Sequence, residues 1–275
     1  GYQVDYHGLD VTVEAFTRVL TDRHPSSTPA SMRLQSDENS RVFLYITGHG
    51  GEGFFKFLDV EEMTATDLGR VFAEMWRKRR YKELLVVLDT CQAETMFEAI
   101  TGPDPSSYTA TSGSSSSSSS STSGVYAPYV TAISSSRLGE SSYAYRTNTS
   151  LGVPSIDRFT LAVNEFLSDS SPSGSGYAYG YNYDGNEKRA RKMGKGKGKD
   201  NGRAGAEAPK FGDLLRSLDP AFMGSTAAVT LSPHARHPSQ IPLSDFLHGP
   251  RHGSSSSSSS SWVPVPVPIV VAEPR

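Results

Sequence analysis

A histidine and the only cysteine of the chain each follow a short apolar segment. His49 comes two residues after residues 41–47, and Cys91 comes two residues after residues 84–89. Segments this short and this rich in Val, Ile and Leu are typical of buried strands in a parallel sheet. A cysteine that a neighbouring histidine activates is a nucleophile for acyl transfer. The pattern therefore predicts this chemistry if the fold brings the thiol and the imidazole side by side.

The segment between the two strands has the pattern of a one-sided helix. Thr64 and Asp67 resemble a capping pair at its start. A strand, a helix and a strand in this order predict parallel strands joined by a right-handed crossover. Both carboxyl ends then lie at one edge of the sheet, where open α/β folds bind their ligands. The apolar residues of the helix recur at three- and four-residue spacing and are Leu68, Val71, Phe72, Met75 and Trp76.

Either residue alone is more simply explained as structural. A lone cysteine at a strand end is usually a small buried hydrophobic residue, and a lone histidine is usually a hydrogen-bonded polar residue. The pair favours catalysis because each member follows a strand and His49 lies between two glycines. Caspase-type proteases also have a histidine about 50 residues before the catalytic cysteine.

Further elements follow from the same patterns. We expect a helix over residues 10–22 with Asp10 as its N-cap, and a short helix that begins near Ala93. Two more strands and two more helices are predicted at residues 129–133, 227–231, 156–167 and 211–218.

Eight segments of the chain resemble the legumain-like cysteine peptidases, and among them the catalytic subunits of glycosylphosphatidylinositol (GPI) transamidases. Legumains proper share only a general His-Gly and a Cys-Glu-Ser-type box, whereas this chain has Thr-Gly-His-Gly-Gly and Asp-Thr-Cys-Gln. The segments that carry the resemblance are Val4–Gly8, Val11–Glu14, Thr47–Gly51, Gly53–Phe57, Lys78–Leu85, Asp89–Gln92, Ser135–Glu140 and Ile156–Thr160.

The resemblance implies a caspase-like α/β fold, with a mostly parallel sheet flanked by helices. In that family the first strand is central and lies beside the strand that precedes the histidine. An asparagine near the end of that first strand helps to orient the histidine. No segment of this sequence matches either feature, so we expect an amino-terminally truncated domain that lacks activity by itself.

The resemblance also implies a reaction. Cys91 would attack the peptide carbonyl at the anchor site of a precursor protein and release its carboxyl-terminal signal peptide, with His49 as the base. The N–H groups of Gly50 and Cys91 are the candidates for the oxyanion hole. The ethanolamine amine of a GPI glycolipid would then attack the thioester. The family works with other subunits in a membrane-bound complex, on the lumenal side of the endoplasmic reticulum. Its chemistry requires no cofactor.

Five other residues have weaker assignments. By resemblance, Ser135, Ser136 and Glu140 belong to the substrate pocket. Asp5 matches part of a family segment that binds a structural calcium ion, but a single carboxylate does not supply the 6–8 oxygens that calcium prefers. Asp89 is either a catalytic carboxylate or a turn cap, and its position at a strand end favours the cap.

Composition sets the domain organisation and excludes some functions. We predict a catalytic domain over residues 1–249, with low-complexity insertions at 104–124 and 168–208 and a Ser-rich and Val-Pro tail at 250–275. A net charge of −2 and a pI of about 6.4 give no general attraction to nucleic acid. The basic segment 188–203 has no interleaved aromatic residues to stack on bases, so we expect no nucleic-acid partner. The sequence shows no signal peptide and no apolar segment of 18 residues.

Two other functions compete with transamidation. A legumain-type cysteine endopeptidase would use the same nucleophile, with water as the acceptor. A non-catalytic scaffold paralogue would keep the fold and lose the chemistry. The Thr-Gly-His-Gly-Gly and Asp-Thr-Cys-Gln boxes argue against the first alternative, and the intact pair of His49 and Cys91 argues against the second.

Overall fold

The computed structural model describes residues 4–103, 124–145, 147–148, 153–154, 156–169 and 208–247. The predicted tail and nearly all of the two predicted insertions lie outside these residues, as does the basic segment 188–203. The strands are β1 (Arg41–Thr47), β2 (Gly50–Gly51), β3 (Phe54–Phe57), β4 (Glu61–Thr64), β5 (Glu83–Asp89), β6 (Val130–Ser134), β7 (Thr147–Asn148), β8 (Val153–Pro154) and β9 (Ala228–Leu231). The helices are α1 (Val13–Thr21), α2 (Ala65–Arg77), α3 (Arg158–Asp169), α4 (Phe211–Ser217), α5 (Pro220–Met223) and α6 (Ser244–Leu247).

The chain divides into two compact units. The first contains the described residues up to Ser142 together with Ser225–His237. The second contains the described residues from Tyr143 to Gly224 and those that follow His237. Both predicted catalytic residues belong to the first unit.

The main sheet of the first unit has the strand order β1-β5-β6-β9. Strands β1, β5 and β6 pair in parallel, and β9 runs antiparallel to β6. Along β5 every residue from Leu84 to Asp89 is buried, whereas burial alternates along β1. This difference arises because β5 is central in the sheet and is covered on both faces. The prediction of parallel strands around the crossover is confirmed.

Helix α2 provides that crossover. Thr64 caps its start, because the Thr64 hydroxyl oxygen accepts a hydrogen bond from the Asp67 N–H at 3.2 Å and donates to the Asp67 carboxylate at 2.7 Å. Leu68, Phe72 and Met75 have no solvent exposure, and their spacing places them on one face of the helix. The capping pair and the apolar face therefore agree with the sequence prediction.

The start of α1 differs from its prediction. The helix begins at Val13, and Thr12 rather than Asp10 is its N-cap. The Thr12 hydroxyl accepts a hydrogen bond from the Ala15 N–H at 3.0 Å. Asp10 instead ends a short 3-10 turn that precedes the helix. Thr12 and Asp10 are both favourable N-cap types, so composition alone did not separate them.

A hairpin formed by β2 and β3 extends from the end of β1 and pairs further with β4. Phe55 and Phe57 of β3 are buried against Phe16 of α1, with ring centroids 6.3 and 5.5 Å apart. Aromatic side chains bury large areas and fix the relative position of the elements that carry them. The hairpin that follows the predicted base is thus anchored to the core.

The second unit contains α3 to α6 and the small β7–β8 pair. The Arg158 guanidinium lies over the Tyr143 ring at 5.6 Å and donates to the Phe222 carbonyl at 3.3 Å. Phe211 and Phe246 pack edge to face. Helix α3 ends at Asp169, just inside the predicted insertion 168–208. No helix in the described ranges of either unit is long and apolar enough to cross a bilayer.

Candidate active site

The register of two parallel strands determines where the predicted catalytic residues lie. β1 and β5 pair so that Thr47 is opposite Asp89, and the Gly48 N–H donates to the Asp89 carbonyl at 3.2 Å. His49 and Cys91 each follow by two residues, so both leave the sheet at the same edge and at matching positions. His49 is exposed, and Cys91 is a free, partly buried thiol. A thiol and an imidazole at one sheet edge suit general-base activation of a nucleophile.

The backbone of His49 is fixed from both sides. Its carbonyl accepts a hydrogen bond from the Lys56 N–H at 2.9 Å, which joins it to β3. Gly50 then packs directly on Thr90, the residue before Cys91. A Cβ at Gly50 would lie 2.9 Å from the Phe54 carbonyl oxygen and 3.0 Å from the Thr90 Cβ. Only glycine allows this close approach, so Gly50 lets the chain beside His49 lie directly against the residue before Cys91.

Gly50 was also predicted as an oxyanion donor. In the β2–β3 hairpin Gly50 is opposite Phe55, next to the hydrogen-bonded pair of His49 and Lys56. In an antiparallel ladder, residues adjacent to such a pair direct their N–H groups away from the partner strand. The Gly50 N–H therefore points to the outside of the hairpin. Its role in an oxyanion hole, together with that of the Cys91 N–H, stays a prediction.

The Cys91 thiol lies beside the loop that follows β6. Its Sγ is 3.9 Å from the Ser142 carbonyl oxygen. The Ser142 hydroxyl in turn donates to the carboxylate of Asp89 at 2.6 Å, and Asp89 is fully buried. One partner of the Asp89 carboxylate is thus a residue far along the chain, and a role of Asp89 as a turn cap stays a prediction. Sequence reasoning missed Ser142, because no motif joins it to Asp89.

The three residues predicted for the substrate pocket lie in this same loop region. Ser135 and Ser136 are fully buried, and their hydroxyls donate to the Thr90 carbonyl at 3.3 and 2.7 Å. Ser136 Oγ also accepts from the Ala93 N–H at 3.0 Å. These serines therefore hold the segment that carries Cys91. Direct contact between them and a substrate stays a prediction.

Glu140 stabilises the loop that follows β6 through hydrogen bonds of its carboxylate. Its carboxylate accepts hydrogen bonds from the N–H groups of Arg137 and Thr226 at 2.9 and 2.7 Å. Partial burial would raise the pKa of Glu140, but these hydrogen bonds outweigh it and hold the pKa below its ordinary value.

Gln92 joins this loop to the nucleophile. Its N–H donates to the Glu140 carbonyl at 2.9 Å, and its side-chain oxygen accepts from the Gly139 N–H at 3.1 Å. Its backbone is left-handed, with φ of 53°. The Asp-Thr-Cys-Gln box contains this residue, but no motif indicated its partner. In the structure Gln92 connects the segment that carries Cys91 to the loop that follows β6.

The predicted calcium ligand has no cluster of metal-ligating side chains around it in the part of the chain that the structure describes. Asp5 is described and partly buried. Within the described residues, no group of three or more His, Cys, Asp or Glu side chains is placed to hold a metal ion. The described carboxylates therefore do not fit a calcium ion, which prefers many oxygen ligands, and calcium binding stays a prediction.

Comparison with known proteins connects this geometry to a family. The model of the Peptidase C13 family matches residues 1–152, more than half of the chain and including both His49 and Cys91. The chain belongs to the Peptidase C13 family. This membership confirms the resemblance read from the motifs, and the α/β architecture with its mainly parallel sheet confirms the caspase-like fold.

Individual relatives of this Peptidase C13 protein share one name. A Bos taurus protein named GPI-anchor transamidase is 43% identical over 171 residues, which are 62% of this chain and 37% of the relative. The Homo sapiens protein of that name is 42% identical over the same shares. The Saccharomyces cerevisiae protein of that name is 41% identical over 165 residues, 60% of this chain and 34% of the relative. The chain thus spans little more than a third of the length of these relatives.

Proposed function

We propose that this protein is the catalytic subunit of a GPI-anchor transamidase. The observation that supports this most strongly is the in-register pairing of β1 with β5, which ends each strand two residues before His49 or Cys91. The similarity to proteins named GPI-anchor transamidase, at 43% and 42% identity, supports the choice of acyl transfer to an amine.

In the proposed reaction His49 removes the proton from the Cys91 thiol, and the thiolate attacks the carbonyl carbon at the anchor site. The N–H groups of Gly50 and Cys91 stabilise the negative charge that develops on the oxygen. The C–N bond then breaks, and the imidazolium returns its proton to the leaving amine. This step releases the carboxyl-terminal signal and leaves an acyl thioester on Cys91.

The second half of the reaction uses a different nucleophile. The ethanolamine amine of the GPI glycolipid attacks the thioester, His49 accepts the amine proton, and the thiol is restored as the C–S bond breaks. A neutral amine attacks a thioester more readily than water does. Exclusion of water from the site favours the amide product further. Hydrolysis by the same two residues would instead give a cysteine endopeptidase.

We also propose the substrates, the partners and the location of the protein. Its substrates are precursor proteins with a carboxyl-terminal signal peptide and the GPI glycolipid. Its partners are the other subunits of a membrane-bound complex, on the lumenal side of the endoplasmic reticulum. The chemistry itself uses only groups of this chain.

The proposal is tested in cells that lack the endogenous enzyme. Cys91→Ala and His49→Ala, introduced into the intact protein, should each abolish the surface display of a GPI-anchored reporter. The double variant should be no worse than either single variant, because the two residues act as one unit. Ser141→Ala is the matched control, because Ser141 is an exposed residue next to Ser142. This variant should retain display of the reporter. Normal display with Cys91→Ala would refute the proposed function.

A further inference from the structure

Thr95 lies within the 3-10 helix Ala93–Ile100, which begins two residues after Cys91. Its side chain is buried, with 3% of its surface exposed. The Thr95 hydroxyl oxygen accepts a hydrogen bond from the Gly53 N–H at 2.8 Å. The same hydroxyl lies 2.7 Å from the Gln92 carbonyl oxygen, to which it donates. A longer contact of 3.5 Å reaches the Gly51 carbonyl oxygen.

These contacts join the two chain segments on which the site depends. Gly51 and Gly53 belong to the hairpin that starts directly after His49, and Gln92 directly follows Cys91. The Thr95 hydroxyl therefore accepts a hydrogen bond from the segment that follows His49 and donates one to the segment that follows Cys91. A methyl group in place of the hydroxyl could neither accept nor donate a hydrogen bond. It would leave the Gly53 N–H and the Gln92 carbonyl without this partner.

Two other contacts between the two segments involve backbone atoms of the histidine segment. The hydrogen bond from the Gly48 N–H to the Asp89 carbonyl continues the β1–β5 ladder, and the Gly50 backbone lies so close to Thr90 that a Cβ would be 3.0 Å from the Thr90 Cβ. Thr95 adds a side-chain contact, because its hydroxyl holds the Gly53 N–H at the far end of the hairpin turn. Without it, the turn at Gly53 would be held by its own strands and by the Ala65 N–H, which donates to the Gly53 carbonyl at 2.8 Å.

We propose that Thr95 is a positioning residue that keeps the hairpin bearing His49 in register with the turn bearing Cys91. The Thr95 hydroxyl bonds to the backbone of Gly53 and Gln92 rather than to the thiol or the imidazole, and it acts through that backbone. This inference rests on the proposed function in one respect, namely that His49 and Cys91 form a working pair. Such a pair maintains a thiolate at a pH where an isolated thiol would be almost wholly protonated.

The test measures how fast iodoacetamide alkylates Cys91 as a function of pH. The thiolate displaces iodide, so the rate follows the thiolate fraction, and mass spectrometry of the peptide that contains Cys91 isolates this site. An isolated thiol is only about 1% ionised at pH 6.5. The wild-type protein should therefore react faster at pH 6.5 than His49→Ala, and the two should converge near pH 10.

Thr95→Val keeps the shape of the side chain and removes the hydroxyl. Its rate at pH 6.5 should fall at least about threefold towards that of His49→Ala, with the rate near pH 10 unchanged. Thr95→Ser keeps the hydroxyl and should restore the rate at pH 6.5. Thr21→Val is the matched control, because Thr21 is equally buried and its hydroxyl bonds to the Thr17 carbonyl within α1. Loss of stability alone, as in Thr21→Val, should leave the pH profile unchanged.

The possible outcomes separate the role of Thr95 from that of the pair of His49 and Cys91. A wild-type profile in Thr95→Val, combined with a changed profile in His49→Ala, would overturn the role of Thr95 and leave the catalytic pair intact. A profile that His49→Ala does not change would overturn the pair and this inference with it. If Thr95→Val does not fold, hydrogen exchange in the wild-type protein decides instead. The Gly53 amide should then be strongly protected, and exchange at the rate of an open amide would overturn the proposal.

Discussion

Three consecutive buried serines at the end of β6 give a graded test of how the site is built. Ser134, Ser135 and Ser136 all have no solvent exposure. The Ser134 hydroxyl has no hydrogen-bond partner within the described part of the chain. Ser135 Oγ makes one long hydrogen bond, at 3.3 Å to the Thr90 carbonyl. Ser136 Oγ makes two, at 2.7 Å to the same carbonyl and at 3.0 Å from the Ala93 N–H.

Alanine at each position removes only the hydroxyl, so the losses should follow these contacts. Ser136→Ala leaves the Ala93 N–H buried without this partner and should lower the free energy of unfolding by about 2–4 kcal/mol. Ser135→Ala should cost about 0.5–1 kcal/mol, because Thr90 keeps its shorter hydrogen bond from Ser136. Ser134→Ala removes an unpaired buried hydroxyl and should range from no change to a gain of about 1 kcal/mol.

Urea unfolding followed by circular dichroism measures the series. With a typical denaturant slope, the loss in Ser136→Ala corresponds to a midpoint shift of roughly 1–2 M urea. Each variant serves as the control for its neighbours, since burial and composition are the same. Equal losses in all three, or a larger loss in Ser135→Ala than in Ser136→Ala, would refute the assignment of these contacts. A Ser136→Ala variant of wild-type stability that binds substrate poorly would instead make Ser136 a direct pocket residue.

Two further predictions concern the same unit. Hydrogen bonds hold the pKa of Glu140 below its ordinary value, so its charge contributes stability above about pH 4.3 that is lost as the pH falls through the lowered pKa. Glu140→Gln should therefore destabilise the protein at pH 7 and make little difference at pH 3; an equal loss at both pH values would contradict this sign. Gly102 packs on Gly124 so closely that a Cβ would lie 2.3 Å from the Gly124 carbonyl carbon. Gly102→Ala should lower the Tm by several degrees in a thermal scan, and an unchanged Tm would show that the two glycines separate readily.

The elements that carry the site were predictable because each depends on a local pattern. The apolar segments before His49 and Cys91 became β1 and β5, and the periodic segment between them became α2. Local patterns also explain the limits. Thr12 and Asp10 are equally plausible caps in composition, and their backbone geometry separated them.

The contacts that hold the site together were not predictable in the same way. Gln92, Thr95 and Ser142 act on partners that are distant in sequence, and in two cases those partners include backbone atoms. Backbone groups have no residue type, so no motif indicates which of them a side chain will reach. Ser135, Ser136 and Glu140 were identified as site residues by resemblance. Only the fold shows that they support the Cys91 segment through hydrogen bonds.

The central claim is that Cys91 carries the acyl group between the precursor and the amine. Its most direct measurement is the mass of the Cys91 peptide after the intact protein is mixed with a precursor substrate and quenched in acid. An acyl adduct on Cys91 should accumulate when no amine acceptor is present. Added ethanolamine should remove the adduct and yield an amide, and Cys91→Ala should show neither adduct nor product. An adduct on another residue, or amide product formed by Cys91→Ala, would contradict the account.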